Sequence, residues 1–269
     1  MSKIERKFGI NANCLKGYDE LGALELIKKA GFESVFISAY KNDEVATVKQ
    51  RADELGLVVE FIHAPFDGIN NMWLPGVGYL DIYERMKESI DSAAENGIKG
   101  VVVHVSSGWQ APAVNDLGLS RYDALVLHAK NRGVKLIFEN LRVTGNLACL
   151  VDRYEKMPHV MFCYDVGHEH CYTKTVRWMD IFTTRVFCTH IHDNPGRPFD
   201  DKVSDFDWHQ LPFDGTCDYA RMMNDLDKYG YRGRLTLEVT QYKPEYENWT
   251  AEEFLATCYE RIEKISKMN

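Results

Sequence analysis

Eight short apolar, β-branched runs recur along the chain, near residues 8–13, 34–39, 57–63, 100–105, 135–139, 160–165, 186–191 and 234–239, and most end in a residue able to bind a metal. These residues are His63 in FIHAPF, His104 in VVVHVSS, Glu139 in LIFENL, Asp165 in MFCYDVGH, His190 in VFCTHIHDN and Glu238 in LTLEVT. A carboxylate or imidazole at the end of a buried strand costs on the order of several kcal/mol unless a cation or a partner compensates it. Its recurrence on successive strands points to one shared polar site.

The runs are nearly continuous rather than alternating, which suits parallel strands covered on both faces. Helical patterns lie between them. Tyr83, Met86, Ile90 and Ala94 share one face, and Asn96-Gly97 ends that helix with a glycine free to turn left-handed. Leu147, Leu150, Val151 and Tyr154, then Tyr219, Met222, Met223 and Leu226, then Phe254, Leu255, Cys258 and Ile262 repeat the pattern. Roughly eight strand and helix pairs without an internal linker predict an α/β fold, a (β/α)8 TIM barrel of one domain over residues 1–269. The runner-up is a doubly wound open sheet, which gathers its ligands at one switch point rather than at the ends of most strands. Two longer connections, 65–78 and 193–217, are expected to shape or cover a pocket.

With 269 residues, of which 45% are hydrophobic and 12% aromatic, the chain can bury a core of that size. A formal net charge of −8 without a Lys/Arg-rich run opposes nucleic acid as a partner. Seven scattered cysteines, odd in number and without a C-x-x-C pair, suggest reduced thiols. The first residues lack the apolar core of a signal peptide, and no stretch is long enough to span a membrane. The expectation is a cytoplasmic protein.

Taken singly, each candidate has a bland explanation. Glu139 and Glu238 could each pair with a buried arginine or cap a helix; two such residues on different strands weaken that account. Asp165 and His168 form Asp-x-x-His at a strand exit, where Asp also serves as a helix N-cap. Strand alternation puts His190 and His192 on one face, so a shared aqueous or metal environment suits both, although either could be a hydrogen-bonded core imidazole. Asp207 and His209 carry the weakest signal, since Asp-x-His in a loop is commonly just solvated. His128 and His159 are expected at the surface, with His170 beside the site. Trp109, Trp73, Phe66 and Phe199 are expected in the core or, alternatively, in pocket walls.

In order and placement, HAPF at 63–66, VVVH at 101–104, FENL at 138–141, YDVGH at 164–168, HIHDN at 190–194, Asp207-Trp208-His209 and LTLEV at 235–239 resemble the xylose isomerase-like TIM barrels. That superfamily holds sugar isomerases and epimerases together with abasic-site nucleases of the endonuclease IV type. The resemblance covers nearly the whole chain. In the ketose epimerase branch it implies one divalent ion on Glu139, Asp165, His190 and Glu238, with His168 touching substrate. In the nuclease branch it implies three zinc ions on His63, His104, Glu139, Asp165, His168, His190, Asp207, His209 and Glu238. Arg197 is the nearest counterpart of a substrate-binding arginine in the epimerases. PFDG at 212–215 departs from the Pro-Gly-x-Gly turn of many relatives.

Three carboxylates and one imidazole suit Mn²⁺, Mg²⁺ or Co²⁺, while recruiting His63, His104 and His209 favours Zn²⁺. The expected function is a metal-dependent isomerase or epimerase of a small sugar, sugar phosphate or cyclitol, with Glu139 and Glu238 moving protons through a metal-stabilised enediolate. The alternatives are a dehydratase or lyase on a cyclitol or keto sugar, and a zinc phosphodiesterase on abasic DNA. Aromatics in the two long loops could equally serve a homo-oligomer contact.

Overall fold

A computed structural model describes residues 4–173, 175–198, 200, 201 and 204–268; Phe199 lies outside the described residues. The strands are β1 (Phe8–Asn11), β2 (Ser34–Ile37), β3 (Val58–His63), β4 (Gly100–Val103), β5 (Lys135–Glu139), β6 (Val160–Asp165), β7 (Val186–His190) and β8 (Leu235–Leu237). The helices are α1 (Glu20–Lys29), α2 (Asn42–Glu54), α3 (Leu80–Glu95), α4 (Asp116–Arg132), α5 (Thr144–Arg153), α6 (Val166–Tyr172), α7 (Trp178–Phe182), α8 (Tyr219–Lys228) and α9 (Ala251–Ser266). All strand pairs are parallel, in the order β7-β6-β5-β4-β3-β2-β1-β8. Among the described residues, the ring closes through one parallel bridge between Ile191 and Leu237, just past β7 and on β8. The architecture is the (β/α)8 barrel, and an open sheet is excluded.

The four helical patterns fall within α3, α5, α8 and α9, the second and third overrunning or meeting their ends by a residue, and Gly97 takes φ +67° just beyond α3. α9 is fixed at its start by a reciprocal cap between Thr250 and Glu253, which satisfies two otherwise orphaned backbone donors. Among the described residues, no helix is long and apolar enough to cross a membrane.

Two apolar layers result from strand alternation. Residues pointing outward, such as Val101, Val103, Leu136, Phe138 and Phe162, pack beneath the helices. Phe36, Phe61, Val102, Ile137, Cys163 and Cys188 point inward and fill the barrel, with Phe36 and Phe61 stacked at 4.8 Å between ring centres. Side chains on a strand repeat every two residues. The next inward position beyond each plug residue is therefore Ser38, His63, His104, Glu139, Asp165 and His190. Glu238, two residues past the buried Thr236, completes the ring. The strand-end polar residues thus form one layer, directly above the apolar plug and at the end where barrel loops build active sites.

Candidate metal centre

Glu139 is the hub of that layer. Its Oε1 lies 3.0 Å from His190 Nδ1 and 3.4 Å from His168 Nδ1; its Oε2 lies 3.0 Å from His104 Nε2 and 3.4 Å from His63 Nε2. His190 Nδ1 is also 3.2 Å from Glu238 Oε2 and 3.8 Å from Asp165 Oδ2. Glu139, Asp165 and His190 are fully buried. Among the described residues, no lysine or arginine pairs with Glu139, Asp165 or Glu238, so the explanation by a buried arginine does not hold for them. Three carboxylates are gathered with only imidazoles for compensation.

Local sequence positions these groups. Asn140, in FENL, donates from its side chain to the Asp165 carbonyl and accepts from the Asp165 amide, both at 2.8 Å, clamping β6 to the end of β5. Asp165 caps α6 by accepting from His168 N at 2.6 Å, so its capping and ligand-like roles coexist. Gly167 must be glycine, because a Cβ there would lie 2.0 Å from the His192 ring. In HIHDN, Asn194 donates to Gly167 O at 3.0 Å, while Asp193 accepts from Phe213 N at 2.8 Å and Cys217 N at 3.0 Å, pinning the long loop after β7. Within that loop Phe213 takes φ +76°, a conformation that favours glycine, at the position where PFDG departs from the Pro-Gly turn. Its ring is held under Lys264 at 4.2 Å and edge-on to Tyr219.

A second group stands beside the first. His168 Nε2 lies 3.1 Å from Asp207 Oδ2, and His209 Nε2 lies 3.3 Å from the same oxygen. His192 is fully buried, with Nε2 3.2 Å from Asp165 Oδ1 and 3.6 Å from Asp207 Oδ1. Three sets each offer donors that lie within 4.8 Å of one another: Glu139, Asp165, His190 and Glu238; His63, Glu139 and His190; and His168, His192, Asp207 and His209. His104 adjoins the second set through Glu139. His190 Nε2 and His192 Nδ1 are buried without a hydrogen-bond partner, and Glu139 Oε2 and Asp207 Oδ1 meet only imidazole nitrogens, in geometries that make no hydrogen bond. Orphaned donors and acceptors among clustered carboxylates and imidazoles fit divalent cations.

The protonation pattern has the same origin. Burial works to raise the Glu139 carboxyl, but His190, His104 and His168 outweigh it and hold it well below the usual carboxylate range. Burial likewise opposes the ionised forms of Glu238 and Asp207, yet His190 depresses the first, and His209 with His168 the second. Conversely, the facing carboxylates lift His190 and His168 well above the usual imidazole value despite burial, and Asp207 lifts His209 to about 10. His104 moves the other way, lowered by burial. Metal ions and protons compete for such donors.

The groups open into a pocket of about 440 Å³, whose walls include Asn13, Ser38, Phe66, Ser106, Arg142 and Asp205 as well as His63, His104, Glu139, His168, Asp207, His209 and Glu238. Asp165 and His190 lie beneath it. A larger groove of about 770 Å³ on the outer face, lined by residues of α4 and the α5–β6 region, holds none of this chemistry. Phe66 lies over His104 with ring centres 4.3 Å apart, a wall position, whereas Trp73 is core, its indole donating to Val105 O at 2.7 Å. Arg197 and Trp109 do not line the pocket: the guanidinium stacks on the indole at 4.3 Å and donates to the carbonyls of Cys171, Tyr172 and Asp201. The arginine in the wall is Arg142, 2.6 Å from Asp205 and stacked on Tyr172 at 4.1 Å. Reading the strand runs alone did not single it out, although it follows FENL directly. His128 pairs with Asp91 between α3 and α4, and His170 meets Thr216, so neither joins the centre.

Comparison with known proteins agrees with this frame. The family model described as "Xylose isomerase-like TIM barrel" matches residues 24–258, and the chain belongs to that family. An uncharacterised Sinorhizobium fredii protein, y4fM, is 31% identical over 170 residues, 58% of this chain; the match spans about half the relative's length, 51%. Among solved structures, D-psicose 3-epimerase from Clostridium cellulolyticum with D-tagatose superposes with a TM-score of 0.76 at 13% identity, covering 97% of this chain and 99% of that one. A xylose isomerase domain protein from Planctomyces limnophilus gives 0.77 at 18%, covering 98% of each. The 3-keto-D-glucoside 4-epimerase YcjR from E. coli gives 0.66 at 18%, covering 94% of this chain and 100% of that one. At these identities the likeness establishes the fold.

Proposed function

We propose that the protein is a divalent-metal-dependent isomerase or epimerase of a small carbohydrate. The observation that carries this reading is the convergence of Glu139 and Glu238, from β5 and just past β8, on His190 Nδ1 at 3.0 and 3.2 Å, both lining a 440 Å³ pocket. Glu139, Asp165, His190 and Glu238 would hold the ion, which when bound supplies Lewis acidity to stabilise the negative charge that develops as a carbon next to a carbonyl loses its proton. Glu238 and Glu139, arriving from different strands, are placed to take a proton from one face of the substrate and return one to the other. Their depressed carboxyls keep both ionised at neutral pH. The imidazoles of His63 and His104 hold Glu139 in place, and Ser38, Ser106 and Asn13 supply neutral hydroxyl and amide groups suited to sugar hydroxyls.

The epimerases among the structural neighbours support the reading. So does the wall chemistry. Arg142, the lysine or arginine in the described wall, is already engaged by Asp205, which leaves little to grip a phosphate backbone. The test is proton NMR of a panel of ketoses and cyclitol ketones in D₂O with metal-replete protein. Deuterium entering beside the carbonyl, with an epimer or isomer appearing, is the expected result. Loss of water to an enone would indicate the dehydratase instead.

The nuclease reading rests on one observation, that His63, His104, His168, Asp207 and His209 all join the four inner ligands in one cluster. Nicking of duplex DNA containing an abasic site, assayed with zinc-loaded protein, tests it; no nicking is expected. A cytoplasmic location and a single domain over the whole chain remain part of the proposal.

A further inference from the structure

The outer groove of about 770 Å³ lies at the foot of the barrel, away from the metal centre. His159 in its wall directly precedes β6, and Lys135 opens β5, the two strands whose far ends carry Asp165 and Glu139. At about 3.3 Å per residue, the length of β6 puts roughly 20 Å between His159 and Asp165. One wall is a single face of α4, on which Asp123, Val126, Leu127 and Lys130 follow the three- and four-residue spacing of neighbours on a helix. The other is the connection from α5 to β6, carrying Lys156, Met157 and His159. The floor between them is held firmly. Tyr154 is buried there with its hydroxyl donating to Asp123 at 2.9 Å, and Arg153 grips the same carboxylate at 2.7 and 2.5 Å.

Two features of this groove serve no purpose in the fold. The first is apolar surface left in water, since Leu127 is 56% exposed and Met157 39%. The second is charge. Lys130 and Lys156 are exposed, and neither has a carboxylate or carbonyl partner among the described residues, whereas Arg153 is already engaged by Asp123. The half-buried His159 has its Nε2 shielded from water and without a hydrogen-bond partner. Burial lowers that imidazole below its usual value, and Lys130 and Lys135 lower it further, so their charges converge on it. In a chain of net charge −8, free cations gathered around an apolar hollow are a local reversal of sign.

Size and chemistry together select an occupant. The volume falls within the range of roughly 300–1,000 Å³ that suits a small molecule, in a cleft of apolar walls and few polar groups. Two free ammonium groups match the charge of a phosphate monoester, and an unpartnered imidazole nitrogen offers a third polar contact. We propose that this groove is a second ligand site for a small phosphate monoester with an apolar or aromatic body, its head held by Lys130, Lys156 and His159 and its body by Leu127 and Met157. The site is separate from the carbohydrate pocket and does not depend on the reaction performed there.

The test uses 1-naphthyl phosphate with metal-replete, full-length protein whose methionine methyl groups carry carbon-13. The Met157 signal is assigned by its loss in Met157→Leu. The probe should shift that signal through the ring current of the naphthyl group, saturating at one molecule per chain, and leave the buried Met72 and Met86 unmoved. In the double variant Lys130→Ala with Lys156→Ala, affinity should fall at least about 10-fold, because two charge-assisted contacts are lost. Both lysines are exposed, so the variant keeps its fold. Inorganic phosphate and 1-naphthol should each bind at least about 10-fold more weakly than the ester, because each lacks one half of the match. A Met157 signal that stays in place at millimolar probe, or an unchanged affinity in the double variant, would overturn the proposal. So would 1-naphthol binding as tightly as the ester, or a hexaglutamate peptide binding more tightly, which would assign the groove to an acidic protein segment.

Discussion

The two ends of the barrel lumen both bury carboxylates, and they treat them in opposite ways. At the lower end Glu60 stands alone, donated to by Thr236 Oγ1 across the lumen at 3.1 Å, and burial raises its carboxyl above the usual range despite the charge of Arg234. At the upper end Glu139, Asp165 and Glu238 converge, and imidazoles hold Glu139 and Glu238 down as anions. The apolar plug of Phe36, Phe61, Val102, Ile137, Cys163 and Cys188 separates them. A buried carboxylate is therefore not itself a sign of chemistry. Convergence of several, without a lysine or arginine to pair them, is.

The sharpest way to break the comparison is to neutralise one acid at each end. Glu238→Gln or Glu139→Gln should lower turnover by about 10²–10⁴-fold with the barrel still folded, because a group that both moves protons and holds the ion is lost while the shape is kept. Glu60→Gln should leave turnover within a factor of about three. Equal losses at both ends would erase the distinction.

Removing the partition comes next. Phe61→Ala should cost about 3–5 kcal/mol in urea unfolding, since the ring is fully buried, stacked on Phe36 and tilted against His190. A cost under about 1 kcal/mol would mean that the plug does not seal the lumen.

The smallest effect concerns pH. With its carboxyl raised in the folded state, Glu60 binds a proton more tightly there than in the unfolded chain. Its contribution is thus present below the unfolded pKa and lost as pH rises through the folded value. Glu60→Gln should flatten that decline while changing stability at low pH by less than about 1 kcal/mol. An unchanged stability profile would place the Glu60 pKa at its ordinary value.

The barrel was legible because continuous apolar runs and helical faces are local signals. Strand ends were legible too: the two-residue repeat that hides Ile137 also presents Glu139. Glu60 is not legible in the sequence, for a physical reason. The register between β2 and β3 slips, Val35 pairing with Val59 but Ile37 with Ile62, so β3 carries an extra residue that parity does not foresee. Arg197 lies close in sequence to the His-bearing strand yet turns its guanidinium onto backbone carbonyls, whereas Arg142 reaches the pocket from another strand. Loop direction decides such cases. His192 was ambiguous by parity alone; its seat on Gly167 and its nearness to Asp207 depend on contacts between distant segments.

Elemental analysis of the protein as purified without chelator, repeated on Glu238→Gln, tests the central claim most directly. At least one divalent ion per chain in the wild type, and one fewer in the variant, is the predicted result. A wild-type protein that carries no divalent metal and binds none on titration would contradict it.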